Sequence, residues 1–152
     1  MALKSRYAHT NIVARDWKKL ARFYEEVFDC VFVPPERDHH GPHTDALTGI
    51  SGARARGGHF RLPGYGDGGP TLEIFQYDQP AAGDAPVINR PGLAHLAFEV
   101  DDVAAARQAV LGAGGRAYGE TITVPIPKAG TITVVYMTDP EGNIVELQHW
   151  SA

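Results

Sequence analysis

The chain has one cysteine, two methionines and two tryptophans in 152 residues, and no apolar run near the roughly 18 residues of a membrane-spanning helix. Its single thiol, Cys30, excludes an intrachain disulfide, so the fold must rest on its apolar core or on a metal rather than on oxidation. The opening residues, Met1-Ala-Leu-Lys-Ser-Arg6, hold no apolar stretch able to act as a secretion signal, and a cytoplasmic address is expected. Basic residues are in deficit. The 14 Lys and Arg against 18 Asp and Glu give a formal charge of -4 with no basic cluster, which argues against nucleic acid or an anionic membrane surface and for a small-molecule or protein partner. What is present, 43% hydrophobic and 21% charged residues, suits one soluble domain that buries roughly two-thirds of its unfolded surface. Disorder, collagen and coiled coil are excluded.

The sequence then repeats itself. Tyr7-Ala-His-Thr-Asn-Ile-Val-Ala-Arg-Asp16 lies over Leu93-Ala-His-Leu-Ala-Phe-Glu-Val-Asp-Asp102 without a gap, matching Ala8 with Ala94, His9 with His95 and Asp16 with Asp102 at an offset of 86. Each half reads as strand then helix. After Asp16, a natural N-cap, the apolar residues Trp17, Leu20, Ala21, Tyr24, Val27 and Phe28 recur at helical spacing opposite Lys18, Lys19, Arg22, Glu25 and Glu26. After Asp102 a weaker stripe of Val103, Ala106 and Val110 predicts a helix over 103–111, stopped by Gly112, Gly114 and Gly115. Short strands follow: 30–33, more weakly 46–50 and 58–62, then 71–77 in the first half; 116–118, 131–138 and 143–149 in the second. Asp139-Pro-Glu-Gly-Asn143 makes a hairpin turn between the last two. The proline-rich stretch 78–91 reads as a linker. The expected organisation is one α+β domain over 1–152, made of two paired β-α-β-β-β modules (5–77 and 92–149), whose sheets meet helices on one side and leave the other free to enclose a cleft.

Alternation along the strands places His9 on a face with Tyr7, Asn11 and Val13, and His95 with Leu93, Ala97 and Glu99, away from the helix side. In the last strand of each half, Glu73 lies between Leu72 and Ile74, and Glu146 between Val145 and Leu147. Each carboxylate thus points opposite an apolar pair. The repeat therefore yields two imidazoles and two carboxylates at equivalent places, a donor set suited to one divalent metal: Zn, Ni, Co, Mn or Fe. A six-coordinate ion would keep two positions for substrate oxygens.

Ala8-His9-Thr10, the helix through Phe23-Tyr24, Leu72-Glu73-Ile74, Ala94-His95-Leu96 and Asp139-Pro-Glu-Gly-Asn-Ile-Val-Glu146-Leu resemble the vicinal oxygen chelate superfamily, which includes glyoxalase I, methylmalonyl-coenzyme A epimerase, extradiol dioxygenases and the fosfomycin and bleomycin resistance proteins. The resemblance runs over about residues 5–149. It implies sheets curved around a metal held by His9, Glu73, His95 and Glu146, and a homodimer. A glutamate at position 73 leans towards glyoxalase-like or epimerase-like isomerase or lyase chemistry, in which Glu146 or Glu73 takes a proton from carbon beside the substrate oxygens; Glu146 is the preferred base. Val13 and Tyr77 stand where bacterial glyoxalase I carries an arginine and an asparagine for glutathione, which argues against glutathione adducts, and epimerases of this type often carry glutamine at the place of Glu73. Two alternatives follow from the same resemblance: an Fe(II) extradiol dioxygenase, and a metal-free drug-sequestering protein.

Other histidines are read more plainly. Asp38-His39-His40-Gly41-Pro42-His43 offers three imidazoles but reads as a flexible surface loop or a lid rather than a second metal site. His59 shares a face with Arg61, either in the cleft or in solvent, and His149 points opposite Glu146. The interval His9 to Glu73 is 64 and His95 to Glu146 is 51, so the first module carries 13 extra residues, expected in loops 34–45 and 63–70. Gly64-Tyr-Gly-Asp-Gly-Gly69 reads as a turn, not a phosphate loop, since no Lys-Ser/Thr pair follows.

Overall fold

The first half opens with β1 (His9–Val13), in which Ile12 is buried while His9, Asn11 and Val13 stay exposed, as alternation requires. Asp16 ends the strand; its carboxylate accepts from Lys19 N at 3.1 Å and starts α1 (Trp17–Phe28). The amphipathic stripe predicted for this helix is the buried one: Trp17, Leu20, Ala21, Phe23, Tyr24 and Phe28 all turn inward. Asp29 closes it in a left-handed conformation, and Cys30 N donates back to Tyr24 O at 3.2 Å. β2 (Val31–His40) follows, then a short helix α2 (Pro42–Thr48), β3 (Arg54–Arg61) and β4 (Thr71–Tyr77). The computed structural model describes the whole of Met1–Ala152.

These four strands form one mixed sheet in the order β1-β4-β3-β2, with β1 and β4 parallel and the other pairs antiparallel. α1 lies against β3 and β4, where Phe60, Leu72 and Ile74 are buried. Burying three large apolar side chains against a helix is worth about 1.5–3 kcal/mol each, which makes this face the organising core of the half.

The second half repeats the plan. β5 (His95–Glu99) leads to Asp102, whose carboxylate accepts from Ala105 N at 3.0 Å and starts α3 (Val103–Gly112). β6 (Arg116–Ala117), β7 (Ile122–Ile126), β8 (Gly130–Thr138) and β9 (Ile144–Ser151) complete a five-stranded sheet in the order β5-β9-β8-β6, with β7 also paired to β8. Here too the first and last strands are parallel. α3 packs on β8 and β9 over Val135, Met137, Val145 and Leu147, with Val103 and Val110 as its buried residues. The chain forms two compact units, Met1–Ala82 and Gly83–Ala152, whose boundary falls within the stretch read as a linker. No helix is long and apolar enough to cross a membrane.

The Asp139 turn has a clear physical basis. Its carboxylate is 1% exposed; Oδ1 accepts from Glu141 N at 2.9 Å and Asn143 N at 3.0 Å, and Oδ2 from Asn143 Nδ2 at 2.8 Å. Gly142 supplies the positive φ of 92° that the turn needs. One buried carboxylate thus fixes the entry to β9 and the height of Glu146 in it.

Three expectations are corrected. Residues 46–50, weakly a strand by composition, instead end α2 and turn out of it. Pro42 fits the first helical position, and Gly49 closes the helix in left-handed geometry. Residues 38–43 are not a loop, since Asp38, His39 and His40 finish β2 and pair with β3, while Pro42 and His43 begin α2. An extra edge strand, β7, appears over 122–126. The additional length of the first half sits at 41–53 and 62–70, where the second half has only 127–129 and 139–143.

Candidate metal centre

Parallel pairing of the first and last strands is what brings imidazole and carboxylate together in each half. In the first, β1 and β4 run side by side with Asn11 opposite Glu73, and His9 Nε2 comes to 3.5 Å from Glu73 Oε1. In the second, β5 and β9 place Ala97 opposite Glu146, and His95 Nε2 comes to 3.4 Å from Glu146 Oε2. Both separations exceed the roughly 3.2 Å of a good N–H···O bond. The four side chains expected from the repeat thus form two like pairs, each described within its own half.

The first half adds a residue whose place the sequence left open. His59 on β3 sits opposite Glu73 on β4, and its Nε2 lies 2.7 Å from Glu73 Oε2. Thr71 Oγ1 at 2.8 Å from Nδ1 fixes the ring from behind, an arrangement that leaves Nε2 facing the carboxylate. The His59 ring also meets that of His9 edge to face at 5.2 Å between centroids. Donor atoms of His9, His59 and Glu73 all lie within 4.8 Å of one another. Burial holds the His59 imidazole below its usual range, reinforced by Arg37 and His9 and opposed by the Glu73 carboxylate. A neutral imidazole keeps the lone pair that a metal needs, so this donor set fits a divalent ion. Asn11 Nδ2 donates to Glu73 Oε1 at 2.9 Å, so both oxygens of that carboxylate are held.

Tyr136 occupies the place of His59 in the second half. It pairs with Glu146 across β8 and β9, and its ring centroid is 5.0 Å from that of His95. Alternation in β3 was the available signal for His59, but alternation gives a face and not a partner. The other candidates go elsewhere. Arg61 turns to Asp67 at 3.1 Å, and His149 Nδ1 is 2.9 Å from Val100 O on the far side of β9 from Glu146. His39 and His43 do not join the donor cluster; with His9, Glu73, Phe75 and Tyr77 they line a cleft of about 400 Å³.

Two repeated β-α-β-β-β units, each with an imidazole and a carboxylate on the sheet face away from its helix, define a duplicated α+β protein with a candidate divalent-metal centre. The chain belongs to the Glyoxalase/Bleomycin resistance protein/Dioxygenase superfamily, whose family model matches residues 6–147. Solved structures share the fold. A glyoxalase family protein from Bacillus cereus is 19% identical, covering 100% of this chain and 97% of that one, with a TM-score of 0.82. A glyoxylase/bleomycin resistance protein/dioxygenase domain from Frankia sp. EAN1pec is 21% identical over 97% and 98% of the two chains, with a TM-score of 0.62. The fosfomycin resistance protein FosX from Listeria monocytogenes, solved with Mn(II) and sulfate, is 13% identical over 99% and 95%, with a TM-score of 0.56. No curated protein sequence matches the chain.

Proposed function

We propose that the protein is a metal-dependent isomerase or lyase, glyoxalase-like or epimerase-like, that moves a proton on a small substrate with adjacent oxygens. His9, Glu73, His95 and Glu146 are the proposed donors to one divalent ion, and we place the enzyme in the cytoplasm as a homodimer. The main support is the pair of matched separations, 3.5 Å for His9 and Glu73 and 3.4 Å for His95 and Glu146, built twice by the same strand pairing. Chance placement of a histidine on an exposed sheet face does not recur with its carboxylate partner.

A bound divalent ion would supply Lewis-acid polarisation of a substrate oxygen. The protein side chains do the rest. Glu73, held at 2.9 Å by Asn11 and 2.7 Å by His59, is fixed in place and suits a structural donor. Glu146 has Ala97 where Glu73 has Asn11, so no amide restrains it and its carboxylate is the freer to act as base. In that role it would take the proton from the carbon beside a substrate carbonyl. The C–H electron pair becomes a C=C bond as the carbonyl π pair moves onto oxygen, and Glu146 returns a proton, exchangeable with solvent while it is held, to the neighbouring carbon or to the opposite face. Exchange of that proton with solvent is the signature.

The set His9, His59 and Glu73 favours one other reading, because two histidines and one carboxylate are the donors of non-haem Fe(II) oxygenases. Elemental analysis of the purified chain after exposure to Zn, Ni, Co, Mn and Fe decides first between catalysis and drug sequestration. We expect about one equivalent of metal, falling by about 10–100-fold in affinity on Glu73→Gln or His95→Ala. A protein that holds no metal overturns the proposal, and oxygen consumption with Fe(II) and catechol replaces isomerase chemistry with ring cleavage.

A further inference from the structure

The two halves differ most where the chain passes from the edge strand to the middle of the sheet. Thirteen residues, 41–53, join β2 to β3, whereas three, 127–129, join β7 to β8. The additional chain forms α2, which is held by polar ties. Gly49 N donates to Asp45 O at 2.8 Å, and the Asp45 carboxylate accepts from Gly52 N at 2.9 Å and Ala53 N at 3.1 Å. None of its residues is buried, and Leu47 is 88% exposed, so α2 adds nothing to the core. It adds a wall. Leu47 and His43 of α2 enclose the cleft of about 400 Å³ against the sheet face that carries His9, Glu73 and Phe75, near the small end of ligand-binding cavities.

Two properties of that cleft limit what can enter. Its body is apolar and aromatic: Phe75 and Tyr77 from β4, Ala55 from β3 and Leu47 from α2, with the His39 ring 5.5 Å from that of Phe75. Flat rings of this kind favour a planar guest. No lysine or arginine lines it; of the arginines on β2 and β3, Arg37 donates to the backbone oxygen of Pro35, and two others are paired with carboxylates. Arg54 grips both oxygens of Asp38 at 2.9 and 2.8 Å, and Arg56 holds Asp78 at 3.1 Å. A carboxylate or phosphate on the end of the guest remote from His9 and Glu73 would shed water and gain no lysine or arginine in return.

Resting on the metal reading above, we propose that this cleft takes an uncharged, compact substrate with a planar apolar body, its adjacent oxygens towards His9 and Glu73 and its body between Leu47 and Phe75. Anionic carriers such as glutathione or acyl-coenzyme A are excluded from it, and α2 is the element that sets this preference.

α-Hydroxyacetophenone has adjacent oxygens on a neutral aromatic body, and its para-carboxy derivative differs by one charge. Titrated into the zinc-loaded full-length chain, the neutral compound is expected to bind at least about tenfold more tightly. Leu47→Ala and Phe75→Ala should each weaken it by about fivefold, and Leu47→Lys should move the preference towards the carboxylated compound. Leu47 is exposed, so its variants keep the fold. Equal binding, or tighter binding of the carboxylated compound by the unsubstituted chain, overturns the proposal. Metal content of the same samples separates the two readings. A chain that holds zinc and lacks the preference overturns only the cleft proposal. A chain that holds no zinc overturns the metal reading, and the pair is then compared by ligand-observed NMR, where equal signals overturn the cleft proposal as well.

Discussion

In the first module the last-strand carboxylate is gripped at both oxygens, by Asn11 and His59; in the second the equivalent carboxylate faces His95, with Ala97 and Tyr136 where the other donors stand. The strands, their parallel pairing and the capping aspartates are the same. What the duplication kept is the scaffold and one histidine–glutamate pair per copy, and what diverged is the surrounding polar shell. That shell decides how far a carboxylate can move, which is the ground for proposing Glu73 as the rigid ligand and Glu146 as the base. A second divergence runs the opposite way. The connection before the last strand is an exposed loop in the first module, with Asp67 97% exposed, but a turn built on a buried carboxylate in the second. The freer glutamate therefore rises from the better-fixed turn.

The comparison is broken most directly at the two glutamates. In metal-saturated protein, Glu146→Gln is expected to slow solvent-deuterium incorporation into α-hydroxyacetophenone by about 10²–10⁴-fold and to weaken metal binding less than Glu73→Gln, which acts mainly through metal affinity. If Glu73→Gln instead stops exchange in a fully loaded protein, the roles are reversed. Next in size come the connections: Asp139→Ala should cost about 2–4 kcal/mol in chemical denaturation, because it removes a buried carboxylate and leaves three half-buried donors without it, while Asp67→Ala should cost less than about 0.5 kcal/mol. Equal losses would remove the distinction between the turns.

The smallest effect concerns Cys30, which precedes β2 as Gly115 precedes β6. Burial, then the charges of Asp29 and Glu25, push its thiol up from 9.0 to about 12. The native chain therefore keeps this proton where the unfolded chain loses it. The stability that this adds is full below about pH 9 and declines as pH rises towards 12. Thermal unfolding should thus fall more steeply above pH 9 for the unsubstituted chain than for Cys30→Ala, and parallel curves would refute it.

Alternation within single strands was enough to set His9 and Glu73, His95 and Glu146, away from the helices, because side-chain direction in a strand is a local property. The buried stripe of α1 and both aspartate caps were local as well. α2 was misread because seven residues hold no complete apolar stripe, so composition suggested a strand. β7 was missed because Pro125 interrupts Ile122, Val124 and Ile126, which marks an edge strand rather than none. His59 could be assigned a face but not a partner.

From sequence alone came the duplication, the helix faces, the turn at Asp139 and the facing of His9, Glu73, His95 and Glu146 away from the helices, all of which depend on neighbours a few residues apart. The register of β3 on β4, the grip of Asn11 and His59 on Glu73, and the wall that α2 raises over Phe75 came only with the tertiary structure. Each of these joins residues distant along the chain, and their meeting depends on strand pairing and loop closure that no local periodicity encodes.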